Sequence, residues 1–182
     1  MKVLFIVGSL RKGSLNRQLS NVAKELIQDK VQVDYLDYSD VPFINIDNEF
    51  PVPEAVQKLR DTVKSYDGVW LFSPEYNWSY PGHVKNLFDW LSRPVEPGSM
   101  ETVAKGLKIT ISNVAGGFGG GNCREKFFQL SKRLQMKLME EPVVGVKNTG
   151  AQLAKAELEL KDEDRATLEA QAKAFLEFIE AE

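Results

Sequence analysis

The feature that most constrains the fold is the alternation of short apolar runs with segments of helical periodicity. Val3–Val7 is apolar at every position, which is typical of a parallel strand covered on both faces. Between Leu15 and Ile27 the apolar residues recur at helical spacing, and Ser14 stands where a helix N-cap is favoured. The same exchange of patterns continues along the rest of the chain.

Further strands are predicted at 31–35 (an edge strand), 69–72, 107–111 and 143–146. Further helices are predicted after Pro53 and Pro81, along Phe127, Leu130, Leu134 and Leu138, and along Leu168, Phe175, Leu176 and Ile179. Five strands that alternate with helices predict an α/β fold: a doubly wound parallel sheet with right-handed crossovers and helices on both faces. We expect a single domain over residues 1–182.

Charge and residue counts exclude several function classes. A formal net charge of −3 argues against a broad nucleic-acid or anionic-membrane surface. One cysteine, Cys123, excludes an intrachain disulfide and multi-cysteine metal sites, and one histidine, His83, excludes two-histidine zinc motifs. No apolar run approaches the roughly 20 residues of a membrane-spanning helix. We therefore expect a soluble, cytoplasmic protein with no metal, nucleic-acid or membrane partner.

Three loops of unusual composition follow predicted strands: Gly8–Arg17, Ser73–Gly82 and Asn113–Asn122. Doubly wound sheets bind their ligands outside the carboxyl ends of the strands. The three loops therefore predict one site at that edge of the sheet.

The first loop has the composition of a phosphate site. It combines the hydroxyls of Ser9 and Ser14, the amide of Asn16, the charge of Arg11 and a helix N-terminus, and no Asp or Glu precedes Glu25. A nucleoside-triphosphate loop is excluded, because serine and leucine stand at the positions of its lysine and hydroxyl residue. A well-capped strand–helix turn with solvated basic residues is the alternative.

The other two loops suit a planar ligand. The second holds three aromatic residues and two prolines in ten residues, with Glu75 and Asn77 available for hydrogen bonds. The third, Gly116–Gly121, allows close approach of the backbone to a ligand. Aromatic packing against a subunit partner and a simple mobile loop are the respective alternatives.

No protein-based catalytic set accompanies these loops. Gln129 stands where a phosphatase loop beginning at Cys123 would need arginine, and no serine lies in a G-x-S-x-G elbow. His83 is interpreted as a surface or interface residue. We therefore predict that the chain has no catalytic side chains and that any chemistry must come from a cofactor.

The chain resembles the NADPH-dependent FMN reductase family, the flavodoxin-like group that includes bacterial quinone and chromate reductases. The matching segments are Gly8–Arg17, Pro74–Asn77 with Ser79, Pro81–Gly82, Lys85–Asn86 and Asp89–Trp90, and the glycine loop followed by Arg124. The resemblance implies bound FMN, the strand order 2-1-3-4-5, and a homodimer or homotetramer.

Site residues carried over from the resemblance fall in all three loops. Ser9, Arg11, Ser14 and Asn16 would hold the FMN phosphate. The residues expected to line the ribityl chain and the isoalloxazine are Pro74, Glu75, Tyr76, Asn77 and Ser79. Gly116, Gly117 and Phe118 would pack near the other edge of the ring.

The function expected from this resemblance is that of an FMN-dependent NAD(P)H oxidoreductase. Hydride would pass through flavin N5 to a small-molecule acceptor (a quinone, azo compound, free flavin or metal oxyanion) in a ping-pong cycle, with NADPH or NADH as donor. The alternatives are a flavodoxin-type electron carrier that reacts only with protein partners, and a non-catalytic phosphate- or flavin-binding relative.

Overall fold

A computed structural model describes residues 1–181 as an alternation of strands and helices. The strands are β1 (Lys2–Val7), β2 (Gln32–Tyr35), β3 (Gly68–Ser73), β4 (Lys108–Ala115), β5 (Lys137–Leu138) and β6 (Gly145–Lys147). The helices are α1 (Leu15–Ile27), α2 (Glu54–Lys64), α3 (Gly82–Leu91), α4 (Gly121–Arg133), α5 (Gly150–Lys155) and α6 (Asp162–Glu180), with a short 3-10 helix at Ile46–Asn48.

The sheet is parallel and follows the predicted order. Its strands run β2-β1-β3-β4-β5, and β6 also pairs in parallel with β4, so two short strands share the position beyond β4. In register, Val7 lies beside Phe72, and Ser73 lies beside Asn113. The carboxyl ends of β1, β3 and β4 therefore meet at one edge, where the three loops begin.

Both faces of the sheet are covered, as the continuous apolar strands predict. Leu4 and Ile6 of β1 pack in the core beneath α2, α3 and α4, whereas Val3 and Phe5 pack in the core beneath α1 and α6. Within residues 1–181, none of the helices has the length and apolar character needed to cross a membrane.

Two predicted details differ in the structure. Leu138, predicted to continue the fourth helical stripe, lies in β5 instead, because α4 ends at Arg133 and Gln135 adopts φ 57°, which turns the chain back beside β4. The sequence analysis also missed α5, since six residues are too few to establish a helical period.

A buried glutamine joins α6 to the centre of the sheet. Gln171 is fully buried, and its Oε1 accepts hydrogen bonds from the hydroxyl of Ser112 (2.9 Å) and the backbone N–H of Val144 (2.8 Å). Its Nε2 donates to the hydroxyl of Thr110 (3.0 Å) and the carbonyl of Ile111 (3.1 Å). A buried amide with every polar group satisfied fixes the helix in one register against β4.

Candidate functional site

The first loop lies beside an open cleft at the carboxyl ends of β1 and β2. The cleft has a volume of about 310 Å³, and its polar lining from this loop and α1 is Ser9, Arg11, Lys12 and Arg17. Arg17 is held by the ring of Tyr35, whose centroid lies 4.1 Å from the guanidinium carbon. Three cations around one cleft favour an anionic ligand.

Ser14 and Asn16, also predicted to hold phosphate, are buried at the start of α1. The hydroxyl oxygen of Ser14 accepts from the backbone N–H of Arg17 (3.2 Å), as an N-cap does. The side chain of Asn16 donates to the carbonyl of Val114 (2.9 Å) and accepts from its N–H (2.8 Å). The side-chain amide of Asn16 therefore joins α1 to β4. Its backbone N–H, in the first turn of α1, is the group left to bind a ligand at the first loop.

The opposite wall of the cleft was missed by the sequence analysis. It is formed after β2 by Asp37, Tyr38 and Ser39. The backbone N–H and hydroxyl of Ser39 donate to Asp37 and lower the pKa of that carboxyl. The first loop is free of carboxylates, but the cleft as a whole is not. The alternation of apolar residues predicts strand β2 but does not indicate that the residues after it line a cleft.

The second loop forms a tight hairpin. Tyr76 and Ser79 exchange two backbone hydrogen bonds (2.9 and 3.1 Å), and Asn77 and Trp78 lie between them with φ 49° and 62°. Asparagine tolerates this left-handed conformation, whereas a bulky residue such as tryptophan rarely adopts it. The turn holds the Trp78 side chain out at 75% exposure. Backbone strain that presents an exposed aromatic ring is typical of a ligand-binding position.

Pro74 and Glu75 lie deeper in the same loop. Pro74 is buried directly after β3. The carboxylate of Glu75 accepts from the backbone N–H of Cys123 (2.9 Å) and the side-chain amide of Asn122 (3.2 Å). A carboxylate at a helix N-terminus is stabilised by the dipole of that helix. Glu75 thereby joins the second loop to the third.

The glycine loop has two halves with different surroundings. A Cβ on Gly119 would lie 2.6 Å from the carbonyl oxygen of Gly145, and one on Gly120 would lie 2.5 Å from Cβ of Asn113. A Cβ on Gly116 or Gly117 would have no atom of the protein within 4 Å. Packing within the fold therefore excludes a side chain at Gly119 and Gly120, but not at Gly116 or Gly117.

The second and third loops enclose a second cavity of about 470 Å³. It is lined by Glu75, Asn77, Trp78, Gly116, Gly117, Phe118 and Asn122. Trp78 and Phe118 are exposed at 75% and 84%, so their rings are available for stacking. The side chains of Tyr76 and Ser79 do not line this cavity. Flat apolar walls, open backbone and three polar side chains fit a planar heteroaromatic group.

Arg124 supports the glycine loop from below. Its Nη1 donates to the carbonyl of Gly119 (2.8 Å) and to Oδ1 of Asn113 (3.3 Å). The amide of Asn113 in turn donates to the carbonyl of Ser73 (2.7 Å) at the end of β3. Ser73 lies 40 residues before Asn113 in sequence, so only the fold reveals that this chain of contacts reaches β3.

Burial disfavours the charged forms of the lone cysteine and the lone histidine. Burial raises the pKa of the Cys123 thiol to about 11, which keeps it protonated at neutral pH. Burial also lowers the pKa of His83, whose ring stacks on Tyr38 at 6.0 Å between centroids. Within residues 1–181, no group of three or more potential metal ligands occurs.

Known proteins resemble this chain over most of its length. The model of the NADPH-dependent FMN reductase family matches residues 1–151. The chain is 35% identical over 147 residues to an NAD(P)H:quinone oxidoreductase of Solanum tuberosum, covering 78% of this chain and 73% of that protein. It is 33% identical over 146 residues to a quinone reductase of Escherichia coli, covering 78% and 75%.

A solved structure with similar architecture is that of FerB, a flavoenzyme NAD(P)H:(acceptor) oxidoreductase from Paracoccus denitrificans. It superposes with a TM-score of 0.84 at 28% identity and covers 98% of this chain and 97% of that one. The family match spans β1 to the start of α5 and contains all three loops. The chain belongs to the NADPH-dependent FMN reductase family.

Proposed function

We propose that this protein is an FMN-dependent NAD(P)H:quinone oxidoreductase. The observation that carries the proposal is the pair of glycines, Gly116 and Gly117, that face an open cavity opposite Trp78. Gly117 has φ 56°, which by itself favours glycine, but Gly116 is bare where neither packing nor a positive φ requires it, and this fits the close approach of a flat ring. The names of the relatives support the choice of a quinone as acceptor.

FMN would be held from both ends. Arg11, Ser9 and the first N–H groups of α1 would bind its phosphate, and Ser14 would keep that helix end in place through its cap. Trp78 and Phe118 would flank the ring, with Asn77 beside its polar edge. The role first expected for Glu75 changes, because its carboxylate is bonded to α4 and would act by fixing the cavity walls.

FMN supplies a ring that accepts a hydride at N5 from NADPH or NADH and gives up its electrons to a second substrate. The protein contributes binding, orientation and exclusion of water. We propose that donor and acceptor bind in turn in the cavity beside Trp78, in a ping-pong order. Azo compounds, free flavin and metal oxyanions would be further acceptors at the same place.

We also propose a homodimer or homotetramer whose interface includes the second loop. Tyr76 and Trp78 are exposed aromatic residues, and Phe118 lies nearby across the same cavity. Aromatic residues of this kind are enriched at interface cores. Tyr80, grouped with them in sequence, instead turns inward, with its ring edge-on to Phe127 at 6.0 Å.

Turnover tests the proposed function. We expect the purified protein with FMN to oxidise NADPH or NADH when 1,4-benzoquinone is present, with parallel double-reciprocal lines as a ping-pong order requires. The control is the same protein freed of FMN, which should oxidise no NAD(P)H. A protein that binds FMN and shows no oxidation with benzoquinone would be an electron carrier or a non-catalytic relative.

Arg11 tests the phosphate end of the site. A charged hydrogen bond contributes about 1.5–3 kcal/mol, so Arg11→Ala should weaken FMN about tenfold to a hundredfold in a fluorescence titration. Riboflavin, which lacks the phosphate, should bind as before. Arg165→Ala, at an exposed position in α6, is the matched control and should change neither affinity. FMN binding within about twofold of the wild type would show the phosphate role to be wrong.

The two halves of the glycine loop test the ring end. Gly116→Ala should leave the melting temperature unchanged, because the new Cβ meets no protein atom, yet weaken FMN and riboflavin alike by about fivefold or more. Gly119→Ala is the contrasting variant: with φ 61° and a contact to Gly145, it should lose about 2 kcal/mol or more of unfolding free energy. If a folded Gly116→Ala variant binds flavin with unchanged affinity, the flavin ring does not bind in this cavity.

Oligomeric state tests the interface. Light scattering should give a dimer or tetramer for the wild type and a smaller species for Tyr76→Ser/Trp78→Ser, because both exposed aromatic rings are lost. Met100→Ser removes a more exposed apolar residue, 87% accessible and outside the loop, and should leave the assembly intact. A monomeric wild type that still binds FMN would refute the interface.

A further inference from the structure

The chain between β6 and α6 lies against the first loop. We call residues 150–158 the strap; it consists of α5 and the three residues that follow. Most of its side chains are exposed, although Leu158 at its end packs partly buried against the core beneath α1 and α6. Its position therefore depends on a few specific contacts, and these are made with the first loop and with α1.

Two polar side chains bond to the strap. Nη2 of Arg11 donates to the carbonyl of Leu153 (2.8 Å). Nε2 of Gln18 donates to the carbonyl of Ala156 (2.7 Å), and Oε1 of Gln18 accepts from the backbone N–H of Leu158 (2.9 Å). Gln18 thus bonds to the strap backbone at both Ala156 and Leu158. Arg11 is oriented by its bond to the last turn of α5.

A close backbone approach adds a third contact. A Cβ on Gly13 would lie 2.5 Å from Cβ of Ala156, and the next nearest atom of that residue, its Cα, would lie 3.8 Å away. Ala156 adopts φ 55°, a conformation that glycine accepts more readily than alanine. The strap can approach the loop this closely because residue 13 has no side chain.

We propose that the strap positions Arg11 for the phosphate of FMN and that Gln18 is the residue that fixes the strap. The carbonyl of Leu153 uses one N–H of the guanidinium, and the remaining donors stay available to an anion in the cleft. A guanidinium already held in place loses less side-chain freedom when it binds. The inference rests on the proposed function, since it concerns the phosphate end of that same site.

The test compares two ligands that differ only in the phosphate. In Gln18→Ala the strap loses both bonds to α1, and FMN affinity should fall about threefold to tenfold in a fluorescence titration, with riboflavin affinity unchanged. Gln57→Ala is the matched control: it is the same substitution on α2 and also loses a hydrogen bond, to Asp61, but its side chain bonds to no residue of the strap or of the first loop. It should change neither affinity.

A compensating pair of substitutions tests the packing. Gly13→Ala should displace the strap through its clash with Ala156 and weaken FMN, again with riboflavin unaffected. Adding Ala156→Gly removes the clashing Cβ, leaves the nearest strap atom at 3.8 Å, and should restore FMN affinity to within about twofold of the wild type. A direct effect of the new methyl group on the phosphate would not be rescued in this way.

The outcomes separate the strap from the function it serves. If Arg11→Ala weakens FMN but Gln18→Ala and Gly13→Ala do not, the phosphate site stands and the strap proposal is wrong. If Gln18→Ala weakens the binding of FMN and of riboflavin equally, its role is general stability and the proposal is also wrong. The same holds if it lowers the free energy of unfolding by as much as it lowers the free energy of FMN binding. If Arg11→Ala has no effect, both the phosphate site and the strap proposal are wrong.

Discussion

The paired hydrogen bonds between Asn16 and the backbone of Val114 hold the candidate site together. They join the first turn of α1 to the end of β4, two segments separated by 98 residues, at a buried position where water cannot compete. Asn113 and Glu75 make similar bonds, to the end of β3 and to the start of α4. The three loops thus converge through side chains that bond to backbone rather than to ligand.

Within the loops, some residues hold the backbone in place and others line the site. Ser14, Asn16 and Asn113 keep the backbone in place, whereas Ser9, Arg11, Trp78 and the two open glycines face the clefts. A site that is held by one set of residues and lined by another can bind a rigid ligand without large rearrangement. A flavoprotein requires this, because its catalysis depends on a fixed orientation of the ring relative to the substrate.

Much of the fold could be read from the sequence. The continuous apolar runs placed the main strands, Ser14 was identified as an N-cap, and the order of the strands followed from the family resemblance. Leu138 and α5 were missed because short elements at the last sheet position are set by chain reversals and packing, which leave no period in the sequence. The three loops do follow β1, β3 and β4 and meet at one edge of the sheet, but the partners of Asn16 and Glu75 were not foreseen. The type of a residue shows that its side chain can bond to an anion. It does not show that the side chain is already bonded to a backbone group distant in sequence.

The most direct test of the central claim, that the three loops hold one FMN molecule, is a crystal structure of the FMN-saturated protein. We expect electron density for the phosphate within hydrogen-bonding distance of Arg11 and the first turn of α1, and for the ring between Trp78 and Gly116–Gly117. Density for FMN that leaves either the first loop or the glycine loop without contact would contradict it.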